Sequence, residues 1–268
     1  MVKICTYVDK RTDFIRIQAR AFKTFFKDDY EYIVFNNASD ESPGGMRDQI
    51  TNVCQEQGVR CIRVQNRNHN TANEAHAAAL NWSYREVILK EAIPDYLFIV
   101  DFDTVLLRDF SVAKYLEGYD ITGIWQGRGT PEHEIKYLWP GMLMLNMKTL
   151  PNKETIDLYC GHVDGIGVDV GGQLAVYLRN NPTVKVKSLS DTGQFTIEGA
   201  KQHLPAKILE RYVDDYKWSL MANAIIHYGA GSNWNHRPAS FHTQKTACYE
   251  FFLEQCIADR SMFNPTVE

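Results

Sequence analysis

The sequence predicts an α/β fold in which a mixed, mostly parallel sheet is flanked by helices. Three strand–helix units precede a short apolar strand, Leu97–Val100, which ends on two aspartates. Apolar runs without polar alternation indicate strands that are buried on both faces, as in parallel sheets. Because such runs alternate with helical segments, we expect one sheet with helices packed against it.

The first half of the chain supplies these units in order. In the segment 13–27 the apolar residues recur at helical spacing, which predicts an amphipathic helix. Gly58 follows the second helix, as glycine commonly does at a helix end. Pro94 prevents the long, alanine-rich third helix from continuing into the apolar strand. The predicted elements are strands 2–8, 32–35, 59–64 and 97–100 and helices 13–27, 46–54 and 71–92.

The second half of the chain contains more turn residues. The segment 125–137 has two glycines and a proline and predicts a long polar loop, a place where lids and binding sites tend to lie. The segment 165–172, GIGVDVGG, predicts a flexible turn that starts a helix. Val184 and Val186 alternate with lysines, which indicates a half-exposed strand. The predicted elements are strands 120–125, 140–146, 184–187 and 224–228 and helices 173–178 and 246–257.

Composition excludes several classes of protein. The 268 residues carry a net charge of -4, so no basic surface for nucleic acid is expected. No apolar run has the length of a membrane span, and the N-terminus resembles a strand and not a signal peptide, which predicts a soluble, cytoplasmic protein. The six cysteines show no C-x-x-C spacing, so we expect reduced thiols. The oligomeric state is left open.

Two aspartates, Asp101 and Asp103, follow the apolar strand with Phe102 between them. An Asp-x-Asp pair is expected by chance in a chain of this composition, so its position carries the information. Ligand sites in α/β sheets lie at the carboxyl ends of the strands. Two carboxylates at that edge suit a divalent cation that keeps other coordination positions free for phosphate oxygens.

Four segments in this order resemble the glycosyltransferases of the GT-A (Rossmann-like) fold, with glycogenin-like and small bacterial or viral members closest in character. These segments are YREVILKEAIPDYLFIVDFDTVLLRD, PGMLMLN, GVDVGGQLAVYL and IIHYGAGSNW. The chain departs from the family in having Trp139-Pro140-Gly141 where many relatives have Asn-Ala-Gly, and in lacking Lys-Pro before Trp234. The resemblance implies a single domain, 1–268, with a nucleotide-binding half at about 1–110, an acceptor and catalytic half at about 111–245, and a C-terminal helix at 246–268.

The resemblance also implies a nucleotide-sugar donor, most simply a UDP-sugar, and a carbohydrate acceptor. Asp101, Asp103 and His227 would hold Mn²⁺ or Mg²⁺, and imidazole favours Mn²⁺. For His227 the alternative is a core histidine. The remaining donor-site residues that it implies are Thr6, Tyr7 and Asp9 beside the base and ribose, Arg85, Phe102 and Gly141 near the diphosphate or sugar, and Gly229 and Gly231 in a backbone turn anchored by Trp234. Packing in the core is the alternative for Tyr7, and a solvated helix position for Arg85.

Asp169 lies in the glycine-rich turn and is the candidate catalytic carboxylate. It would take a proton from the acceptor hydroxyl or stabilise the transferred sugar, and inversion and retention both stay open. The alternative is a helix N-cap. The candidate acceptor platform comprises Trp125, Tyr137 and Trp139, each with core packing as the alternative, while His69, His76, His133 and Glu134 are predicted to be loop or surface residues.

Two other functions compete with this interpretation. A haloacid-dehalogenase-like phosphatase also has an Asp-x-Asp after an apolar strand, with the first aspartate as nucleophile. That motif normally opens the domain, whereas three strand–helix units come first here. A non-catalytic sugar-binding protein is the second alternative, and turnover separates it from an enzyme. A nucleotidyltransferase would need a glycine-rich basic loop after the first strand, which CTYVDKRTD is not.

Overall fold

A computed structural model describes residues 1–39, 42–65, 69, 71–229 and 237–263. The chain divides into two compact units, each built from three stretches. Unit 1 comprises Met1–Thr12, Asp28–Asp101 and Ser111–Leu189, and unit 2 comprises Asp13–Lys27, Phe102–Phe110 and Ser190–Glu268. The strands and helices named below are numbered in chain order.

Unit 1 is organised around a seven-stranded sheet in the order β10-β6-β7-β4-β1-β2-β3. Its strands are β1 (Val2–Val8), β2 (Tyr30–Asn36), β3 (Arg60–Arg63), β4 (Tyr96–Val100), β6 (Ile121–Thr130), β7 (His133–Asn146) and β10 (Val186–Ser188). In the described part of the chain, β7 is antiparallel to β4 and β6, and the other neighbours are parallel. The predicted mixed, mostly parallel sheet flanked by helices is therefore confirmed.

The strands in the middle of this sheet have the burial that their composition predicts. All seven residues of β1 are buried, as are the last four residues of β4. A strand that is covered on both faces tolerates apolar side chains at every position, and this is why its sequence lacks alternation. The edge strand β3 is exposed or half-buried throughout, and its two terminal arginines keep that edge polar.

The predicted polar loop at 125–137 is wrong, because this segment forms a β-hairpin. Strands β6 and β7 pair antiparallel as far as Thr130 and His133, with a two-residue turn between them. Glycines and a proline suggested a loop, but Pro131 lies in the turn, and the glycines lie in a strand pair that the partner strand stabilises. The register shifts between Gly123 and Ile124, where the hairpin leaves the main body of the sheet.

The helices of unit 1 are α2 (Met46–Glu56), α3 (Ala72–Ser83), α4 (Val112–Tyr115) and α5 (Leu174–Asn180). Thr71 caps α3 by accepting a hydrogen bond from the backbone N–H of Glu74 at 3.1 Å. The predicted helix 71–92 is shorter than expected, since a π-helical turn, Tyr84–Ile88, follows α3. The predicted flexible turn at 165–172 instead contains β9 (Ile166–Val168), which pairs with β8 (Gly161–Val163).

Unit 2 has a three-stranded antiparallel sheet in the order β11-β12-β5. Its elements are α1 (Asp13–Phe25), β5 (Thr104–Leu106), α6 (Ile197–His203), α7 (Ala206–Leu209), β11 (Ser219–Met221), β12 (Ile225–His227) and α8 (Ala239–Ala258). The ring of Phe14 packs edge-on against Tyr228 and Tyr249, which joins α1 to the end of the sheet and to α8. The closing helix begins earlier than the predicted residue 246, because Pro238 starts it. Among the described residues no helix has the length and apolarity needed to cross a membrane.

Candidate active site

The Asp101–Asp103 segment follows directly on β4, as the sequence predicts, and forms the turn that leads into β5. The backbone N–H of Asp101 donates to the carbonyl of Gly141 at 2.8 Å, which fixes the end of β4 against β7. Gly141 cannot carry a side chain in this arrangement, since a Cβ there would lie 2.2 Å from the Trp139 ring and 2.7 Å from Oδ2 of Asp101. Gly141 therefore lies beside Asp101, and its predicted role near the diphosphate or sugar stays a prediction.

Asp103 and His227 face each other in unit 2. Nε2 of His227 lies 3.3 Å from Oδ1 of Asp103, and the Asp103 side chain is almost fully buried, with 4% of the residue exposed. Strand pairing sets this approach, because His227 is directly opposite Thr104. Two donors hold the carbonyl of Asp103: the N–H of Tyr228 at 2.9 Å and the hydroxyl of Tyr249 at 3.1 Å. The histidine therefore meets a carboxylate at a strand end.

Asp169 is held by three side chains of unit 1. Its Oδ1 accepts a hydrogen bond from Nδ2 of Asn73 at 2.8 Å, and its Oδ2 lies 3.5 Å from Nη2 of Arg128. Its backbone N–H donates to the hydroxyl of Tyr137 at 3.3 Å. The N-cap alternative for this residue is wrong, because α5 begins after Gln173. Asp169 is thus a positioned, partly exposed carboxylate beside an arginine.

Asn73 and Arg128 were not identified from the sequence, although weak signals for both exist. Thr71-Ala72-Asn73-Glu74 has the spacing of a capping box, which places Asn73 in the first turn of a helix. In a hairpin over 126–137, the side chains of successive residues point to alternate faces. Arg128 and Tyr137 then share one face. Neither signal indicates which carboxylate these side chains would meet.

Tyr7 is buried and has well-defined partners. Its ring stacks on Phe35 at a centroid distance of 5.2 Å, and its hydroxyl is 2.6 Å from Oγ of Ser83. Burial raises the pKa of Tyr7 well above its ordinary value. These contacts match the core alternative, and a role beside the nucleotide stays a prediction. His76 was predicted to be a loop or surface residue, which is wrong: it lies in α3, half-buried, with its ring edge-on to Tyr7 at 5.5 Å.

The neighbours of Tyr7 along β1 differ in their surroundings. Thr6 is fully buried, and its Oγ1 has no hydrogen-bond partner among the described residues. Asp9 is half-buried, and burial raises the pKa of its carboxyl group, with Lys10 at 3.7 Å opposing the shift. In α3, burial lowers the pKa of His76 to about 4, although the charge of Asp169 acts to raise this pKa.

The other predicted donor-site residues have varied environments. Arg85 is exposed and lies 3.7 Å from a carboxylate oxygen of Asp157, as the solvated alternative describes. The ring of Phe102 is buried edge-on against Phe14. Gly229 has a φ of +72°, and a Cβ there would lie 2.8 Å from the carbonyl oxygen of Lys217, so the position requires glycine. Gly231 and Trp234 lie outside the described residues.

The three aromatic residues predicted to form the acceptor platform differ in their burial. Tyr137 is completely buried, Trp139 is half-buried beside Gly141, and Trp125 is 41% exposed. Trp125 borders a cleft on the β6–β7 hairpin, which we call the hairpin cleft, with a volume of about 390 Å³. Its lining residues are Trp125, Gln126, Gly127, Glu134 and Lys136. His133 and Glu134 are exposed, as predicted, but on a strand; His69 is half-buried.

Comparisons with known proteins place this geometry in context. No family model matches the chain, and no curated protein sequence matches it. The solved structures that resemble it are GT-A glycosyltransferases. They include the galactosyltransferase LgtC in complex with donor and acceptor sugar analogs, at 15% identity and a TM-score of 0.34. They also include the mannosyltransferase PcManGT from Pyrobaculum calidifontis in complex with GDP-Man and Mn²⁺, at 12% and 0.44, and the bifunctional glycosyltransferase WbbM, at 13% and 0.34.

These glycosyltransferases are similar to the chain only in part. The matched region covers 55% of this chain for LgtC and for WbbM, and 70% for PcManGT. It covers 58% of LgtC, 54% of PcManGT and 31% of WbbM, so the chain spans less than two thirds of each relative.

Proposed function

We propose that this chain is a metal-dependent glycosyltransferase that moves a sugar from a nucleoside-diphosphate donor, a UDP-sugar, to a hydroxyl group of a carbohydrate. The observation that carries this proposal is the approach of His227 to Asp103 at 3.3 Å, directly after a buried strand that ends on Asp101. A buried carboxylate and an imidazole at a strand end are an expensive arrangement for folding alone, and a cation bound between them would offset the cost of burial.

The chemistry of the side chains fits a divalent cation. Asp101 and Asp103 supply carboxylate oxygens, which Mg²⁺ and Mn²⁺ both accept, and the imidazole of His227 favours Mn²⁺. Asp101 is two residues from Asp103, so the covalent chain limits their Cα separation to about 7 Å. When bound, the cation would neutralise the negative charge that develops on the departing nucleoside diphosphate.

The protein groups would bind and orient the two substrates. Gly141 has no side chain that could cover the carboxylate of Asp101, which supports access of a phosphate to that carboxylate. In this proposal the diphosphate contacts the backbone at Gly229 and Gly231 and the side chain of Arg85. Thr6, Tyr7, Asp9 and Phe102 complete the proposed donor site. Asp169, which lies 3.5 Å from Arg128, would act on the acceptor hydroxyl or the transferred sugar.

The direct test is calorimetry of UDP binding with Mn²⁺ and with EDTA. We expect binding to weaken at least about tenfold in EDTA and in Asp103→Asn, because the charge that bridges protein and diphosphate is lost. Asp109→Asn is the matched control, since Asp109 lies in the same stretch but is exposed and paired with Lys27. Equal affinity in Mn²⁺ and EDTA, or an unchanged Asp103→Asn, would reject a metal-bridged nucleotide.

The role of His227 has its own test. A histidine must be neutral to bind a metal, so Mn²⁺-dependent UDP affinity should fall as the pH is lowered from 8 to 5. In His227→Ala we expect weaker affinity and a flatter pH profile, measured by the same titrations. A variant that binds Mn²⁺ and UDP as the parent does would show that His227 is structural.

Product analysis separates the competing activities. A glycosyltransferase releases UDP from a UDP-sugar when an acceptor or water takes the sugar, whereas a phosphatase that uses Asp101 as nucleophile would release inorganic phosphate from phosphomonoesters. The position of β4 argues for the first, since β1, β2 and β3 precede it in the same sheet. A protein that binds the nucleotide sugar and never releases UDP would be a binding protein.

A further inference from the structure

The shape of the hairpin cleft follows from the residues that β6 and β7 contribute to one face. Trp125 and Gly127 alternate with Gln126 along β6 and therefore lie on one face of the hairpin. Directly opposite Gly127 is Lys136, and Glu134 lies two pairs nearer the turn, on the same face. Gly127 has no side chain, and the space where its Cβ would be is occupied by the carboxylate end of Glu134. The cleft thus has an indole on one side and the carboxylate of Glu134 above the backbone of Gly127.

The polar groups of the cleft are arranged in a charge-balanced way. Oε2 of Glu134 lies 3.2 Å from Nζ of Lys136, so this pair brings no net charge to the lining. The side chain of Gln126 lies on the opposite face of the hairpin, where its Oε1 is buried, so it contributes no side-chain group to the cleft. The cleft therefore offers donors, acceptors and an exposed aromatic surface without a charge to select an ion.

We propose that the hairpin cleft binds a neutral pyranose unit of the carbohydrate acceptor. A pyranose has faces of C–H groups that pack on an aromatic ring as apolar surface, and its hydroxyls both donate and accept hydrogen bonds. The indole of Trp125 would cover one face, while Glu134 and Lys136 would bind hydroxyls. The volume of about 390 Å³ is within the range of small-molecule sites. Assignment to the acceptor rests on the proposed glycosyl transfer, whereas sugar binding itself does not.

Binding is tested by saturation-transfer NMR and calorimetric titration of the intact protein with the neutral disaccharides lactose, maltose and cellobiose. Glucuronic acid and glucosamine serve as charged probes. We expect saturable binding of at least one neutral disaccharide and weaker binding of both charged probes. Absence of saturable binding by all three neutral disaccharides would overturn the proposal.

Two variants test the location of the sugar. Trp125→Ala removes the indole, and Gly127→Val displaces the carboxylate end of Glu134 from the cleft; valine is compatible with a strand, and Gly127 does not have a positive φ. Each should weaken disaccharide binding about tenfold or more, as the loss of a central aromatic contact does. Tyr119→Ala removes another exposed aromatic of unit 1 and should bind as the parent does. Unchanged binding in both cleft variants would overturn the proposal, as would a dimer that Trp125→Ala dissociates.

The nucleotide measurements distinguish this inference from the proposed function. In Trp125→Ala the KM for the acceptor should rise, whereas Tyr119→Ala should keep the parent's acceptor KM, Mn²⁺-dependent UDP affinity and rate of UDP-sugar hydrolysis within about twofold. If the parent binds a neutral disaccharide in the cleft and fails to bind UDP, the proposed function is rejected and the cleft remains a sugar site. If UDP binds and the disaccharides do not, the cleft is rejected as a sugar site and the proposed function is retained.

Discussion

Gly141 shows how a single residue determines what lies beside Asp101. In Gly141→Ala the new Cβ would meet both the Trp139 ring and Oδ2 of Asp101, so both side chains or the backbone must move. Displacing packed side chains typically costs about 1–3 kcal/mol. We expect a lower free energy of unfolding in urea and weaker Mn²⁺-dependent UDP binding.

The matched control for this substitution is Gly167→Ala. Gly167 lies in β9, where the nearest atom to an added Cβ is Nε2 of His162 at 4.0 Å. This variant should keep the stability and the UDP affinity of the parent. If Gly141→Ala behaved in the same way, the contact between the glycine and Asp101 would have no functional weight.

Asp169 is the residue whose replacement should separate binding from turnover. Asp169→Asn keeps the size of the side chain and an oxygen that can accept from Asn73, but it removes the charge that faces Arg128. We expect UDP affinity within about twofold of the parent and glycosyl transfer reduced by about two to four orders of magnitude. Steady-state kinetics and calorimetry on the same preparation measure both.

Asp164→Asn is the control for the loss of a carboxylate near that turn. Asp164 lies between β8 and β9, is exposed, and pairs with Arg179 at 2.7 Å. Surface ion pairs of this kind contribute little, so its transfer rate should be close to normal. Normal turnover in Asp169→Asn as well would exclude a catalytic role for Asp169.

At the scale of elements, helix α3 carries a histidine that makes stability depend on pH. Burial lowers the pKa of His76 to about 4, whereas an unfolded histidine titrates near 6.5. As the pH falls through 6.5 the unfolded chain takes up a proton before the folded chain does, so the free energy of unfolding decreases. The stabilisation is complete above about 6.5 and is lost by about 4.

The measurement is urea unfolding at pH 7.5 and pH 5 for the parent and His76→Gln. The parent should lose roughly 1–2 kcal/mol more than the variant over this interval, because only the parent has an imidazole whose pKa is lowered in the folded state. His133→Gln replaces an exposed histidine on the hairpin and should follow the parent. Parallel profiles for the parent and His76→Gln would mean that the folded protein protonates His76 without cost.

At the scale of the whole molecule, unit 2 is assembled from stretches that are far apart in the sequence. Strand β5 pairs with β12, and the ring of Phe14 in α1 packs against Tyr228 and Tyr249. A fragment 1–189 keeps α1 and β5 but loses these partners. Removing the packing of a buried phenylalanine alone costs about 3–5 kcal/mol.

We therefore expect the fragment 1–189 to unfold at a lower temperature than the full chain and to bind a hydrophobic dye. Differential scanning calorimetry and dye fluorescence on both proteins measure this. A fragment that unfolds cooperatively at the temperature of the full chain would show that the first two stretches of unit 2 need no partner from the third.

The sequence by itself determined the elements whose burial follows from the local spacing of their apolar residues. Helix α1 was recognisable from its apolar spacing, and β1 and β4 from apolar runs that only strands covered on both faces can have. The Asp-x-Asp turn followed from the same reasoning, because it comes directly after β4. The strand 224–228 was likewise predicted, close to the observed β12.

Tertiary structure decided what depends on partners distant in the chain. The segment 125–137 became a hairpin because β6 and β7 satisfy each other's backbone hydrogen bonds, which no local pattern of glycine and proline reveals. Asn73 meets Asp169 across 96 residues, and His227 meets Asp103 through the register of β12 on β5. Which side chains approach one another is set by register and packing in three dimensions, whereas periodicity reports only whether a residue is buried.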